Sequence, residues 1–400
     1  MSVESLRSPR EAFASPVRRG AREASATMTA LLIALGVLLP IMRLVPVGGI
    51  LVNFCAADVV MPLVLLALRR QWTRSRALGG WLLALWVVNL VSWSLSLSML
   101  TPITFLRETM KVVTCYLYAL VGYGIGSDAR AEQLFVKSLA WSSVLIAVGA
   151  VSAYLVRQPA AFITDSRVVG SFTDPNAFAV FLAMQIALVG TFGFAWLAVP
   201  ILLAGGLATL SRTGLISLTA SVFLSSLHAG ARRFLLIFAA CALALVAAWG
   251  SFSSHSLFDR IGEYQSSLGY RQELWSLALG TGAKHPVFGV GRGNWESVTG
   301  SFEGAHNTFL QTIADTGFVG LMAFAGPVAF WLGAGVKRRA TRAWAICVLV
   351  GLLGGLAIAL DNFRLFWLAV GVLTAKLAVE VEAERAARAE RWGQTAATVG

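Results

Sequence analysis

The chain predicts an all-α polytopic membrane protein, on three observations. Hydrophobic residues make up 57% of the 400, charged residues only 13%, and the mean hydropathy is +0.73. So few charges cannot cover the surface of a soluble domain. The apolar residues are also gathered into runs close to the ~20 residues a helix needs to cross hydrocarbon. These runs are too long for β-barrel strands and lack their period-two alternation. Finally, the basic residues recur in clusters that fall on one side of the membrane if about twelve segments cross it from a cytoplasmic N-terminus.

The segments run, in order, over 27–42, 46–68, 78–98, 103–125, 134–156, 173–192, 194–210, 213–228, 234–251, 306–332, 343–360 and 363–379. Pro40 and Pro46 interrupt the first two, and the seventh is short. The basic clusters are Arg7 to Arg22, Arg69 to Arg76, Arg130 with Lys137, Arg232 with Arg233, Lys337 to Arg342, and Arg385 to Arg391. The formal net charge of +12 therefore sets orientation and does not indicate a nucleic-acid partner. Residues 1–26, polar and rich in Arg and Ser, are expected to form a disordered cytoplasmic tail with no cleaved signal peptide. Residues 27–379 are expected to form one transmembrane catalytic domain, and 380–400 a charged cytoplasmic tail, helical over 380–392. Cys55, Cys115, Cys241 and Cys347 lie in apolar segments without metal spacing, so buried thiols are expected and disulfides are not.

Two non-cytoplasmic segments depart from plain helices. Residues 157–172 carry Arg157, Asp165 and Arg167 and lead into Gly170-Ser171-Phe172-Thr173-Asp174-Pro175-Asn176. Residues 252–305 form a hydrophilic stretch long enough to be functional, with short helices, one near Tyr270–Gly280. There Arg271, Trp275 and Leu279 recur at four-residue spacing. Charges inside the apolar segments are functional candidates by default. Arg107, Glu108 and Lys111 can serve a ligand or pair among themselves at the interface, whereas Asp58 reads as structural.

Three groups carry candidate chemistry. Ser211-Arg212-Thr213-Gly214 opens the eighth segment. Ser211 as N-cap would aim free N–H groups into the same space as the Arg212 guanidinium, a combination suited to phosphate. An interfacial anchoring arginine is the other reading. Arg271, with Lys284 and Arg292 as weaker candidates, offers a second phosphate ligand. Gly289, Gly291 and Gly293 follow His285-Pro286-Val287-Phe288 in a spacing that fits a tight turn and not a dinucleotide fingerprint. His306-Asn307 begins the tenth segment, where a helix N-terminus would favour a neutral imidazole able to accept a proton. A satisfied structural histidine is the alternative. Asp315 lies about half a turn out of phase with His306 and is not expected to orient it.

Arg212 in Ser-Arg-Thr-Gly, Arg271 before Trp275, Phe288-Gly-Val-Gly and His306-Asn307 followed by Gly317 together resemble the O-antigen ligase and polymerase superfamily. Gly170 to Asn176 is also similar to a segment of that family, and the likeness extends over roughly 47–375 in helix order and loop placement. The resemblance implies a GT-C-like helical glycosyltransferase of the bacterial inner membrane, with a periplasmic active site. Its donor would be a glycan on undecaprenyl pyrophosphate. An acceptor hydroxyl on lipid A–core or another glycan would displace the lipid pyrophosphate with inversion, without a metal or other cofactor. Arg212 and Arg271 match the family's motif arginines and would hold pyrophosphate. His306 matches the motif histidine and would act as base or orienter. Ser211, Asn307, Arg292, Lys111 and Asn176 are expected to contact substrate.

Pyrophosphate is already a competent leaving group, so two arginines can replace a metal in stabilising its developing charge. Asp165, Asp174, Asp259, Glu263, Glu273, Glu296 and Glu303 are scattered, with no pair placed as a glycosidase couple. The motifs leave ligase and polymerase both open. Chain length and the single large loop lean toward the ligase, and acceptor choice is expected in the 252–305 surface. A protein O-oligosaccharyltransferase is less favoured because no soluble domain is appended. A transporter or flippase would show inverted repeats and midplane sites, which this sequence does not suggest.

Overall fold

Cap chemistry decides where the helices begin. Thr101 Oγ1 accepts from Thr104 N at 3.2 Å ahead of Pro102, and Asp174 Oδ1 accepts from Asn176 N at 2.9 Å ahead of Pro175. Ser211 Oγ accepts from Gly214 N at 2.8 Å, and Asn307 Oδ1 accepts from Phe309 N and Leu310 N at 3.0 and 3.2 Å. Each side chain satisfies an N–H that the helix itself leaves unpaired.

The computed structural model describes residues 26–41, 55–96, 101–156, 163–164, 167–172, 174–190, 195–229 and 255–399. The helices are α1 (Ala26–Leu38), α2 (Ala56–Ala67), α3 (Arg69–Trp72), α4 (Arg76–Ser94), α5 (Pro102–Gly126) and α6 (Ala129–Val156). A minimal ladder follows, in which β1 (Ile163–Thr164) pairs antiparallel with β2 (Arg167–Val168). The chain continues with α7 (Pro175–Val189), α8 (Ala195–Ala208), α9 (Arg212–Ala229), α10 (His255–Lys284), α11 (Trp295–Thr299), α12 (Thr308–Gly335), α13 (Arg342–Gly354) and α14 (Arg364–Val399).

Eleven of the apolar segments read from the sequence overlap described helices, the second only over Ala56–Ala67 and the eleventh only over Arg342–Gly354. The ninth, at 234–251, lies outside the described residues, as do Cys241 and the tail up to residue 25. Among the described residues, α4, α6 and α12 are long and apolar enough to cross a membrane, and five shorter apolar helices accompany them. Two boundaries differ from expectation. The 252–305 stretch contains a 30-residue helix where short ones were expected, because its polar residues still recur at helical spacing. The charged tail is no separate element, since α14 runs unbroken from Arg364 to Val399.

Helix α7 is the hub: every residue from Phe178 to Val189 is buried, as a helix apolar on all sides requires. It packs on α8, α9 and α13. Helix α14 lies along α5 with small residues between them. A Cβ at Gly122 would strike the Leu368 carbonyl, and one at Gly371 the Ala119 carbonyl, so both glycines permit backbone contact. Leu63, Leu83, Leu145, Ile216 and Phe330 are more than half exposed, an outward apolar surface suited to lipid. Cys55, Cys115 and Cys347 are buried free thiols.

Contacts sort the helix ends. Asn176 meets Ser211, Val180 lies against Gly354, and Thr308 N donates to Gly355 O, so the starts of α7, α9 and α12 share an end with the finish of α13. Asp58 binds Arg364 there. At the opposite end Lys376 and Trp344 both donate to Glu132, and Arg338 pairs with Glu380. The basic clusters at Arg69 to Arg76, Arg130 and Lys337 to Arg342 lie at that second end.

Candidate active site

His306 is held by its neighbours' backbone. Gln311 Oε1 accepts from Ala305 N at 2.8 Å, and Trp275 Nε1 donates to Ala305 O at 3.0 Å. With both polar groups of Ala305 pinned, His306 takes a left-handed φ of 47°, which is uncommon for a residue with a Cβ. Asn307 then caps α12. The ring therefore stands before the helix and not in its first turn. Its partner is an acid that sequence reading left among the scattered ones: Glu303 Oε2 lies 3.2 Å from His306 Nε2. The two side chains are 41% and 57% exposed, so an incoming hydroxyl can reach them. A carboxylate on one imidazole nitrogen orients the ring and leaves the other for proton transfer.

Arg271 belongs to the same assembly. It lies one turn before Trp275 on α10, and Trp275 is bonded to the residue next to His306. Leu274 and Ala278 pack with Trp295, Ala305 and Ala314 in a small core that fastens α10 to the start of α12. The Arg271 guanidinium engages no hydrogen bond or ion pair among the described residues and stays half-buried, with its donors open to an anion.

Ser211 is the N-cap its position implied, and this use buries it to 5% exposure. Its hydroxyl also donates to Asn176 Oδ1 at 2.7 Å, so two residues expected to contact substrate contact each other. Arg167 joins them, donating from Nε to Thr209 O at 3.1 Å and from Nη2 to Asn176 Oδ1 at 3.3 Å. This knot fixes Leu210 at a φ of 53° and sets Arg212, the exposed first residue of α9, at the same end of the bundle as His306. Arg167 was visible in the sequence, but nothing there linked it to Thr209 or Asn176.

Arg292 and Lys111 sit deeper and are paired. Lys111 Nζ lies 2.7 Å from Glu108 Oε1, and Arg107 Nε lies 3.3 Å from the same oxygen, so the charged cluster of α5 closes on itself. Arg292 Nη1 lies 3.3 Å from Asp361 Oδ2. Burial favours loss of the Arg292 proton, but Asp361, Asp315 and Glu108 outweigh it and hold the guanidinium above its ordinary range. Arg292 and Asp361 line a cavity of about 30 Å³ with Asn89, Tyr116, Thr308 and Thr312. That volume has room for a water. Arg292 Nε and Asn89 Oδ1 are buried there without a partner.

The glycine-rich turn has a larger role than a turn. Helix α12 breaks at Gly317 (φ 67°), and the segment after α10 fills the break. Val290 N and Gly291 N donate to Ala314 O and Asp315 O at 2.9 and 2.8 Å, while Phe318 N and Val319 N donate to Pro286 O and Val287 O at 2.7 and 3.2 Å. Ser92 Oγ donates to Phe288 O at 2.6 Å and lies 2.8 Å from Asp315 O. Backbone groups freed by a break inside this apolar helix are thus paired, as an apolar surrounding demands. A Cβ at Gly289 or Gly317 would collide with the facing backbone. Asp315 accepts from Gln311 at 2.9 Å and makes no contact with His306, as its phase implied.

Residues 195–325 match the O-antigen ligase family model. That third of the chain holds Ser211, Arg212, Arg271, Arg292, His306 and Asn307, and leaves Lys111 and Asn176 outside. The resemblance to the O-antigen ligase and polymerase superfamily, first carried by short motifs, is thereby supported over the stretch that contains most of them. No curated protein and no solved structure matches the chain. Among the described residues, no group of three or more His, Cys, Asp and Glu side chains is placed to hold a metal ion.

Proposed function

We propose that this protein is an O-antigen ligase-like glycosyltransferase. It moves a glycan from undecaprenyl pyrophosphate to an acceptor hydroxyl, on lipid A–core or a similar acceptor, at the periplasmic face of the inner membrane. The observation that carries this reading is the Trp275–Ala305 bond, which seats the Arg271 helix beside His306 within the stretch matching the O-antigen ligase family. Arg271 and Arg212 stabilise the charge developing on the departing pyrophosphate. His306, oriented by Glu303, takes or positions the acceptor proton. Twelve spans in a GT-C-like arrangement with both termini cytoplasmic fit this reading, since the basic clusters gather at the end away from His306.

The test uses purified protein in liposomes with labelled undecaprenyl-pyrophosphate glycan. One tube contains lipid A–core and the other only more donor. Product on lipid A–core is the expected result. A ladder of longer lipid-linked chains would make the enzyme a polymerase, to which the family match is equally friendly. EDTA is expected to leave transfer intact; inhibition reversed by Mg²⁺ would contradict the metal-free mechanism. No product in either tube, with Arg271→Ala and His306→Ala behaving as wild type in cells, would return the protein to the transporter class.

A further inference from the structure

Beside Glu303, the partner of the histidine, lies an open groove of about 430 Å³ that Arg271 does not line. Its size falls in the range of small-molecule sites, roughly 300–1,000 Å³. Tyr270, Glu273, Leu274 and Leu277 of α10 form one wall, and the turn from Thr299 to Glu303 forms the other. Two features set it apart from an incidental surface hollow. Tyr270 and Phe302 stand 44% and 86% exposed, two aromatic faces open to the outer space. The charged side chains lining it, Glu273 and Glu303, are both acidic, and Glu303 is the residue bonded to His306.

Helical phase explains how one helix can serve two ligands. Tyr270, Glu273, Leu274 and Leu277 share a face of α10, whereas Arg271 and Trp275 lie about a third of a turn round the axis. The cationic face suits the pyrophosphate of a donor. The aromatic and acidic face suits the opposite chemistry. Aromatic rings present a negative face to the C–H bonds of a sugar ring. The carboxylates accept from its hydroxyls, as do the oxygens of Thr299 and Ser301, whose own protons go to Trp295 O and Glu303 O. The same carboxylates repel an anionic lipid surface, which argues against Phe302 as a membrane anchor.

We propose that this groove is the acceptor subsite, binding a neutral, hydroxyl-rich oligosaccharide and discriminating against acidic sugars. The inference rests on the glycosyl-transfer reading and adds to it where the acceptor lies. In it, Tyr270 and Phe302 stack on sugar faces, Glu273 takes hydroxyls, and Glu303 ends the groove at the His306 ring. No covalent step is added.

The experiment titrates full-length protein in nanodiscs with a lipid-free neutral hexose oligosaccharide and with the same chain oxidised to uronic acids. Binding is read by calorimetry and by tryptophan fluorescence. Transfer kinetics are run alongside with Phe302→Ala, Tyr270→Ala and Glu273→Gln, all surface positions. The expected result is neutral-sugar binding weakened about tenfold or more in Phe302→Ala and Tyr270→Ala, about 1.4 kcal/mol per decade. The acceptor KM should rise with it while the donor KM holds. The uronic chain should bind at least about tenfold more weakly than the neutral one, and Glu273→Gln should narrow that gap. Wild-type acceptor binding in all three variants would overturn the proposal, as would loss of both substrates together, which is the signature of a membrane anchor. If binding follows the expectation while the wild type transfers nothing, the groove stands and the glycosyl-transfer reading falls.

Discussion

Two arginine–aspartate pairs sit at the same end of this bundle, and their surroundings differ. Arg364 grips Asp58 with two bonds, Nε to Oδ1 at 2.7 Å and Nη2 to Oδ2 at 2.6 Å. Tyr118 Oη and Cys55 N donate to the same carboxylate at 2.9 and 2.8 Å, and Arg364 Nη1 reaches Asn362 Oδ1 at 3.3 Å. Arg292 touches Asp361 through one 3.3 Å contact and keeps a buried Nε without a partner beside a water-sized cavity. The first pair is saturated and ties α2, α5 and α14 together. The second has spare capacity. A buried charge in this bundle therefore reads as structural or functional by whether its partner set is complete, and not by burial alone. By that measure Arg271 and His306, half-exposed and lightly engaged, stand with the functional groups.

The sharpest way to break this contrast is Asp58→Ala. Leaving Arg364 buried without its carboxylate should cost about 3–5 kcal/mol of stability. Thermal unfolding in detergent would reveal it; an unchanged melting temperature would mean the knot is dispensable. Next comes Arg271→Ala, expected to lower transfer by about 10²–10³-fold, the usual cost of one stabilising donor. Its melting temperature should match wild type, and a parallel loss of stability would put Arg271 with the structural group. Gly317→Ala should cost about 1–3 kcal/mol, because the new Cβ meets Val287 O in a left-handed conformation. Equal thermal stability there would show that the break in α12 does not need the glycine. The smallest effect is expected for Arg292→Gln, about 1–2 kcal/mol, because Asp361 remains 25% exposed and can take up water. A loss as large as that of Asp58→Ala would erase the distinction between the two pairs.

Much of the helix layout was legible because apolar runs and their caps are local. Ser211 as N-cap at the opening of the eighth segment, and the four-residue spacing of Arg271 and Trp275, each announced a geometry that needs only neighbouring residues. Asp58 was read as structural, and its partner set agrees, but Arg364 lies 306 positions away and no local rule joins them. Glu303 was one of seven scattered acids on the non-cytoplasmic side; only the left-handed turn at His306 brings it onto the ring. The break at Gly317 was equally hidden. A glycine inside an apolar segment is ordinary, and it becomes a break only where Pro286 to Gly291 supplies replacement backbone partners.

The sequence by itself determined the class of solvent and the kind of chemistry available. Its apolar runs demand lipid, its basic clusters give the bundle two unlike ends, and its outward arginines and His306 suit a pyrophosphate ester and a hydroxyl. Tertiary structure decided which of those groups are free to act. Saturation of Asp58, self-closure of Glu108 with its two cations, and the pinning of Ala305 on both sides arise from residues far apart in the chain. The reason is physical: hydrophobicity and capping act over one or two helical turns, whereas the partners that satisfy or expose a charge are set by packing among distant helices.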